Sequence, residues 1–263
     1  MRGVTWAVAV ALFVSPVPTK AAGDRSGSFW ESGSMLDACF IADKRWPQAA
    51  RAAQSNVLWA AEMWSNVGAA IGIDLGTTDK PRICEHKTMA LFPVRIMFND
   101  QHINGSLVGS EAKKKQPLRG GGTMSLAIET ARSPAAEERG RILHEFGHAL
   151  GLIHEFQRPE PAGCADSFQM DQAIEYFRSE NRWDETETRR QLEPLSSGRS
   201  ADSGVLDRKS IMMYALPGHI LDDGAADECF LERRSTQLSD GDREVLRNAY
   251  PPVEPPRKAK RRK

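Results

Sequence analysis

Apolar positions along the chain fall into a few periodic blocks separated by polar stretches. Val57, Leu58, Ala61, Trp64 and Val67 recur at helical spacing, which predicts a long helix with one buried face, opened near Pro47. Val94, Ile96 and Phe98 alternate as in a strand, and so do Met124, Leu126 and Ile128. Between them, Gly105–Gly109 reads as a short strand, followed by a solvated loop through Lys113–Lys115 and Gly120–Gly122. Ser133 and Pro134 are suited to the N-cap and first position of the next helix, and Glu137 and Glu138 suit its early turns. Its buried stripe is Ile142, Leu143, Phe146, Ala149 and Leu150, and Gly151 follows as a stop. Residues 160–209 are polar and irregular in pattern. A last helix runs from Leu238 to Tyr250, with Ser239 and Asp242 spaced as a capping box and Pro251 ending it.

The N-terminus follows a different pattern. Arg2 precedes a mostly apolar run from Val4 to Val17, and small residues follow at Ala21 and Ala22. This reads as a signal peptide over 1–22, with an uncleaved anchor as the alternative, since the run is short for a membrane span. Residues 23–39, rich in Gly, Ser and Asp, read as a flexible segment before a folded domain over 40–250. The end, 251–263, reads as a basic disordered tail.

Charge adds one asymmetry. The 35 basic and 35 acidic groups balance, so nothing global points to nucleic acid. Signal cleavage removes Arg2 and Lys20, and the tail holds six basic groups in Arg257–Lys263. What remains is an acidic body, and the tail is a candidate for contact with an anionic surface. Four cysteines, Cys39, Cys84, Cys164 and Cys229, suit two disulfides in an exported chain. Three pairings are possible, and the favoured one is Cys39–Cys84 with Cys164–Cys229, a bridge on each side of the histidine segment.

That segment carries the chemistry. It reads His144-Glu-Phe-Gly-His148-Ala-Leu-Gly151-Leu-Ile-His154. Residues four apart share a helix face, so His144 and His148 converge on one point. A third ligand needs the chain to turn back, and Gly151 permits that because glycine tolerates positive φ. His154 then completes three ligands for a Zn2+ ion with one coordination position left open, the mark of a catalytic site. Glu145, beside the first ligand, is placed to act on a metal-bound water. His86, His102 and His219 have no such spacing.

His144 to His154 resembles the metzincin signature. The run to Arg158, with Glu155 directly after the third His, looks like the astacin branch. Ser210-Ile-Met212-Met213-Tyr214 resembles that family's Met-turn, and Leu238 through Tyr250 its closing helix. The resemblance implies an α+β zincin/metzincin fold. An N-terminal half would carry a twisted mixed sheet, a backing helix and the zinc helix, and the half after about residue 151 would be mostly irregular. It also implies Met212 as a floor under the ligands, Tyr214 near the metal and an edge strand near Ser106 pairing with substrate. Glu155 would pair with a mature N-terminus freed by processing. Met213 departs from the pattern, standing where astacins often carry His. The stretch before residue 40 is short for a propeptide, and Asp37 and Cys39 are its candidates for shielding the metal.

The reading is therefore a secreted zinc endopeptidase acting on protein or peptide through Glu145 and Tyr214. The alternatives are a metzincin-fold binding protein with little or no proteolysis, and a structural zinc domain, for which no fourth ligand is evident.

Overall fold

The structure, a computed structural model, describes residues 29–42, 49–118, 120–159, 163–195 and 205–253. The expected signal peptide, Pro47 and the tail beyond Val253 lie outside these residues. Among the described residues no helix is long and apolar enough to cross a membrane.

A mixed sheet organises the N-terminal half. Its strands are β1 (Ser34–Ile41), β2 (Ile71–Asp74), β3 (Ile83–Cys84), β4 (Val94–Asn99), β5 (Gly105–Ser106) and β6 (Met124–Ala127). The order is β2-β1-β4-β6-β5, with β3 also on β1. All pairs are parallel except β5 with β6. The antiparallel β5 therefore ends the sheet on that side. Strand β1 occupies 34–39 of the expected flexible segment over 23–39, of which 23–28 lie outside the described residues. Its composition hid an alternation in which Leu36, Ala38 and Phe40 are buried while Met35 and Asp37 are exposed. The folded domain thus begins before residue 40.

Among the described residues six helices complete the fold: α1 (Ala49–Ser65), α2 (Ile128–Arg132), α3 (Ala136–Ala149), α4 (Met170–Asn181), α5 (Glu185–Leu192) and α6 (Asp240–Ala249). Helix α1 backs the sheet through Val57, Ala60 and Trp64, all buried. Trp64 Nε1 donates to Leu143 O at 2.9 Å and fastens α1 to α3. Helix α3 begins later than expected. Ser133 precedes a proline and stays extended, and its hydroxyl accepts from Ala135 N at 3.1 Å, so Ala135 occupies the N-cap. Ile128 opens α2 rather than closing β6, and β5 stops after two residues before a 3-10 turn over Gly109–Lys113.

The stretch 160–209 is less irregular than its pattern suggests, because it holds α4 and α5. Helix α4 buries Ala173, Ile174 and Phe177, and α5 buries Thr188 and Leu192 beneath a charged exterior. Two apolar cores result. One lies between the sheet, α1 and α3, and reaches Met212, Leu246 and Tyr250. The other gathers Phe156, Phe168, Phe177, Met213 and Leu216 around the Cys164–Cys229 bridge. Met213, the departure from the family pattern, is buried in this second core.

Both bridges have the favoured pairing, Cys39–Cys84 joining β1 to β3 and Cys164–Cys229 stapling the C-terminal half. They close loops of 45 and 65 residues. Reduction is expected to cost about 4 kcal/mol per bridge on the chain-entropy account. Thermal unfolding with and without a reductant, on chains lacking one bridge or the other, measures each contribution.

Candidate metal centre

Helix α3 delivers the first two ligands. Gly140, Ile142, Leu143, Phe146 and Ala149 bury it on several sides, so it runs through the interior with His144 and His148 buried on one face. Leu150 caps it and Gly151 follows with φ +101°. That conformation is strained for any residue with a Cβ. The reversal brings His154 back towards the helix. His148 Nε2 and His154 Nε2 lie 3.1 Å apart, and the three imidazoles place ligand atoms within 4.8 Å of one another. Among the described residues this is the sole such cluster.

The fit to zinc can be tested on the donors. His144 Nδ1 lies 2.9 Å from Ile211 O, and His148 Nδ1 lies 2.9 Å from Leu152 O. A carbonyl only accepts, so each Nδ1 carries the proton and each Nε2 a lone pair turned inward. His144 Nε2 is buried and has no hydrogen-bond partner among the described residues. Two nitrogens bound tetrahedrally to one zinc lie about 3.4 Å apart, close to the spacing found. Burial pushes the His148 imidazole down to about 4, and burial with mutual repulsion holds His144 and His154 well below the usual histidine range. The three rings are thus neutral, as ligation requires. His154 has no carbonyl at Nδ1, and buried Gln157 is the polar side chain beside it.

Glu145 is buried on the same helix, and its Oε2 has no hydrogen-bond partner among the described residues. Desolvation pushes the carboxyl up to about 8, opposed by the positive charges of Arg234 and Arg141. Tyr214 packs its ring 5.3 Å from that of His144 and 4.5 Å from that of His154, centroid to centroid. Burial pushes its hydroxyl up to about 12.

Two further features fix the floor. Met212 sits against α3 at Gly147, where an added Cβ would come within 2.3 Å of its sulfur. The turn that carries Met212 hangs from Asp242. This carboxylate accepts from Ser210 Oγ at 2.6 Å, Ile211 N at 2.8 Å and Ser239 N at 2.8 Å, while Ser239 Oγ accepts from Asp242 N. The expected capping box on α6 is present, and it also holds the turn whose Ile211 carbonyl orients His144.

The Glu155 carboxylate pairs with Arg158 at 2.6 Å and accepts from Asp207 N at 2.9 Å, and the Glu155 and Arg158 side chains are largely buried. The residues that would follow signal cleavage, to which the resemblance pairs Glu155, lie outside the described ones. Asp37 pairs with Arg82 and Cys39 with Cys84, so neither shields the histidines. Sequence reading missed Arg234. Its guanidinium lies 4.3 Å from the Tyr214 ring centroid and within electrostatic reach of Glu145. No spacing rule marks an arginine twenty residues after Tyr214.

The architecture is similar to two solved structures of myroilysin. One aligns with a TM-score of 0.67 at 22% identity, over 88% of this chain and 98% of that one. The other gives 0.56 at 20% identity, over 90% and 98%. No protein-family model matches the chain, and no curated protein does. At such identity the likeness shows fold. The fold is zincin-like.

Within that fold Gly147 has a steric duty. Gly147→Ala gains about 1 kcal/mol of helix propensity. It is nevertheless expected to cost about 1–3 kcal/mol net through the clash with Met212. Urea unfolding of the variant beside its parent measures the sign.

Proposed function

We propose that the protein is an exported zinc-dependent endopeptidase. The observation that carries this reading is the convergence of three neutral, buried imidazoles next to a buried carboxylate with an unsatisfied oxygen. The zincin-like fold supports it, and two disulfides support an oxidising compartment.

His144, His148 and His154 would hold the ion. Bound there, zinc supplies Lewis acidity and a water acidified toward a pKa of about 7. With the charge of a bound ion favouring its ionised form, Glu145 would accept a proton from the attacking water at its free oxygen and hand it to the leaving amine. Tyr214 donates to the developing oxyanion, and the Arg234 guanidinium on its ring adds positive field there. A substrate in extended form would add to the sheet at the free edge of β5. Met212 and Gly147 keep the floor packed so that the ligand geometry does not relax.

The deciding experiment is cleavage of an unstructured protein by zinc-loaded chain, with and without a chelator, beside Glu145→Gln. Glu145→Gln is expected to keep its zinc and lose about 10²–10⁴-fold in turnover. An active Glu145→Gln would remove Glu145 from the mechanism. Chelation is expected to abolish cleavage while far-ultraviolet circular dichroism keeps its shape. Unfolding on chelation would instead mark a structural ion. No cleavage by folded, zinc-loaded parent would favour a binding protein on a protease scaffold.

A further inference from the structure

The carbonyls that end α3 are all paired, by unlike partners. Leu152 N donates to Gly147 O at 2.9 Å and Gly151 N to His148 O at 2.8 Å, both local bonds of a glycine-terminated helix. The next two are reached from the far ends of the described chain. Trp30 Nε1 donates to Ala149 O at 2.8 Å, and the Tyr250 hydroxyl donates to Leu150 O at 2.6 Å. The Trp30 amide donates to that same hydroxyl at 3.1 Å, which closes the pair. Both side chains are buried, and the Phe29 ring meets Tyr250 edge-on at 5.7 Å.

The turn they hold belongs to the site. Leu152 O orients His148 through its Nδ1, and His154 follows two residues later. Neither Trp30 nor Tyr250 has a hydrogen bond or ring contact with a ligand, so any influence passes through the backbone at Leu150–Leu152.

We propose that Trp30 and Tyr250 are positioning residues for the metal centre. Their clasp sets the turn at Gly151 and thereby the metal affinity of His148 and His154, and N-terminal processing compatible with function stops before Trp30. The inference rests on the metal-site reading above. Its rival is plain anchoring, in which losing the clasp lowers stability without a particular effect on the ligands.

The test compares Tyr250→Phe, which keeps the ring and removes the hydroxyl, and Trp30→Phe, which exchanges the indole for a smaller ring and removes the Nε1 donor alone, with Val57→Ala in α1 as a stability control. Zinc affinity is measured by competition with a chromophoric chelator, beside the thermal midpoint of the metal-free chain. Tyr250→Phe is expected to weaken zinc about ten-fold, the order of one lost buried hydrogen bond. Val57→Ala is expected to lower the midpoint as a core truncation does, yet keep affinity within about two-fold. Equal weakening in both, or unchanged affinity in Tyr250→Phe, overturns the proposal. A chain beginning at Phe29 is expected to bind zinc like the parent, and one beginning at Ser34 to bind it poorly. Full-affinity binding by the shorter chain also overturns it. A metal-independent reading comes from amide exchange at Gly151 and Leu152, expected to quicken about ten-fold in Tyr250→Phe. If the parent binds no zinc, the proposed function fails by itself. The exchange rates then judge the clasp, and unchanged rates overturn it.

Discussion

The reversal of the chain at Gly151 is the constraint on which the site depends. Helix α3 can present two imidazoles four residues apart, but a straight helix cannot aim a third at the same point. The positive φ at Gly151 turns the backbone within one residue, and the local bonds to Gly147 O and His148 O close the helix as it does so. His148 is then oriented by the first carbonyl beyond the turn, and His154 by its distance from it. The geometry of the histidine cluster is a property of how one helix ends.

The C-terminal half has the complementary task. Beside Met212, Tyr214 and Arg234, it contributes two largely buried carboxylates that hold the turns of the site. Asp242 gathers the backbone and hydroxyl donors around Ile211, whose carbonyl fixes the tautomer of His144. Glu155, held by Arg158 and the Asp207 amide, fixes the exit from His154. Desolvation opposes ionisation of both groups, and the surrounding donors offset it. Apolar contact between Met212 and Gly147 and the hydrogen bonds of Asp242 and Glu155 thus hold the turns around the histidine cluster.

Much of this was legible in the chain. The spacing of His144, His148, Gly151 and His154 is a local geometric statement, and helical geometry turns it into a site without knowledge of the rest. Strands β4 and β6, helices α1 and α6 and the stripe of α3 followed from periodicity. Three things did not. Strand β1 exposes Met35 and Asp37, and with Ser34 and Asp37 polar its short alternation imitated a loop. Helix α4 spreads Met170, Ile174 and Phe177 thinly through charged residues, and α5 is mostly charged, so neither raised a clear period. Arg234 and the second role of Asp242 are tertiary facts, since their partners lie 20 to 90 residues away and leave no trace in spacing. The local partner of Glu155, Arg158, is likewise a contact that the motif alone does not state.

The meeting of Trp30 with Tyr250 spans 220 residues of sequence. It bears on the order in which a nascent chain acquires its parts. The sheet and the histidine helix are synthesised first, but Tyr250 and Asp242 emerge last. Until α6 docks, the helix end lacks one of its partners and the Ile211 carbonyl lacks its anchor. A chain still being synthesised therefore holds all three histidines and no finished centre. Under the proposed peptidase reading, that delay would keep an unfinished chain from cutting unfolded protein, its own included.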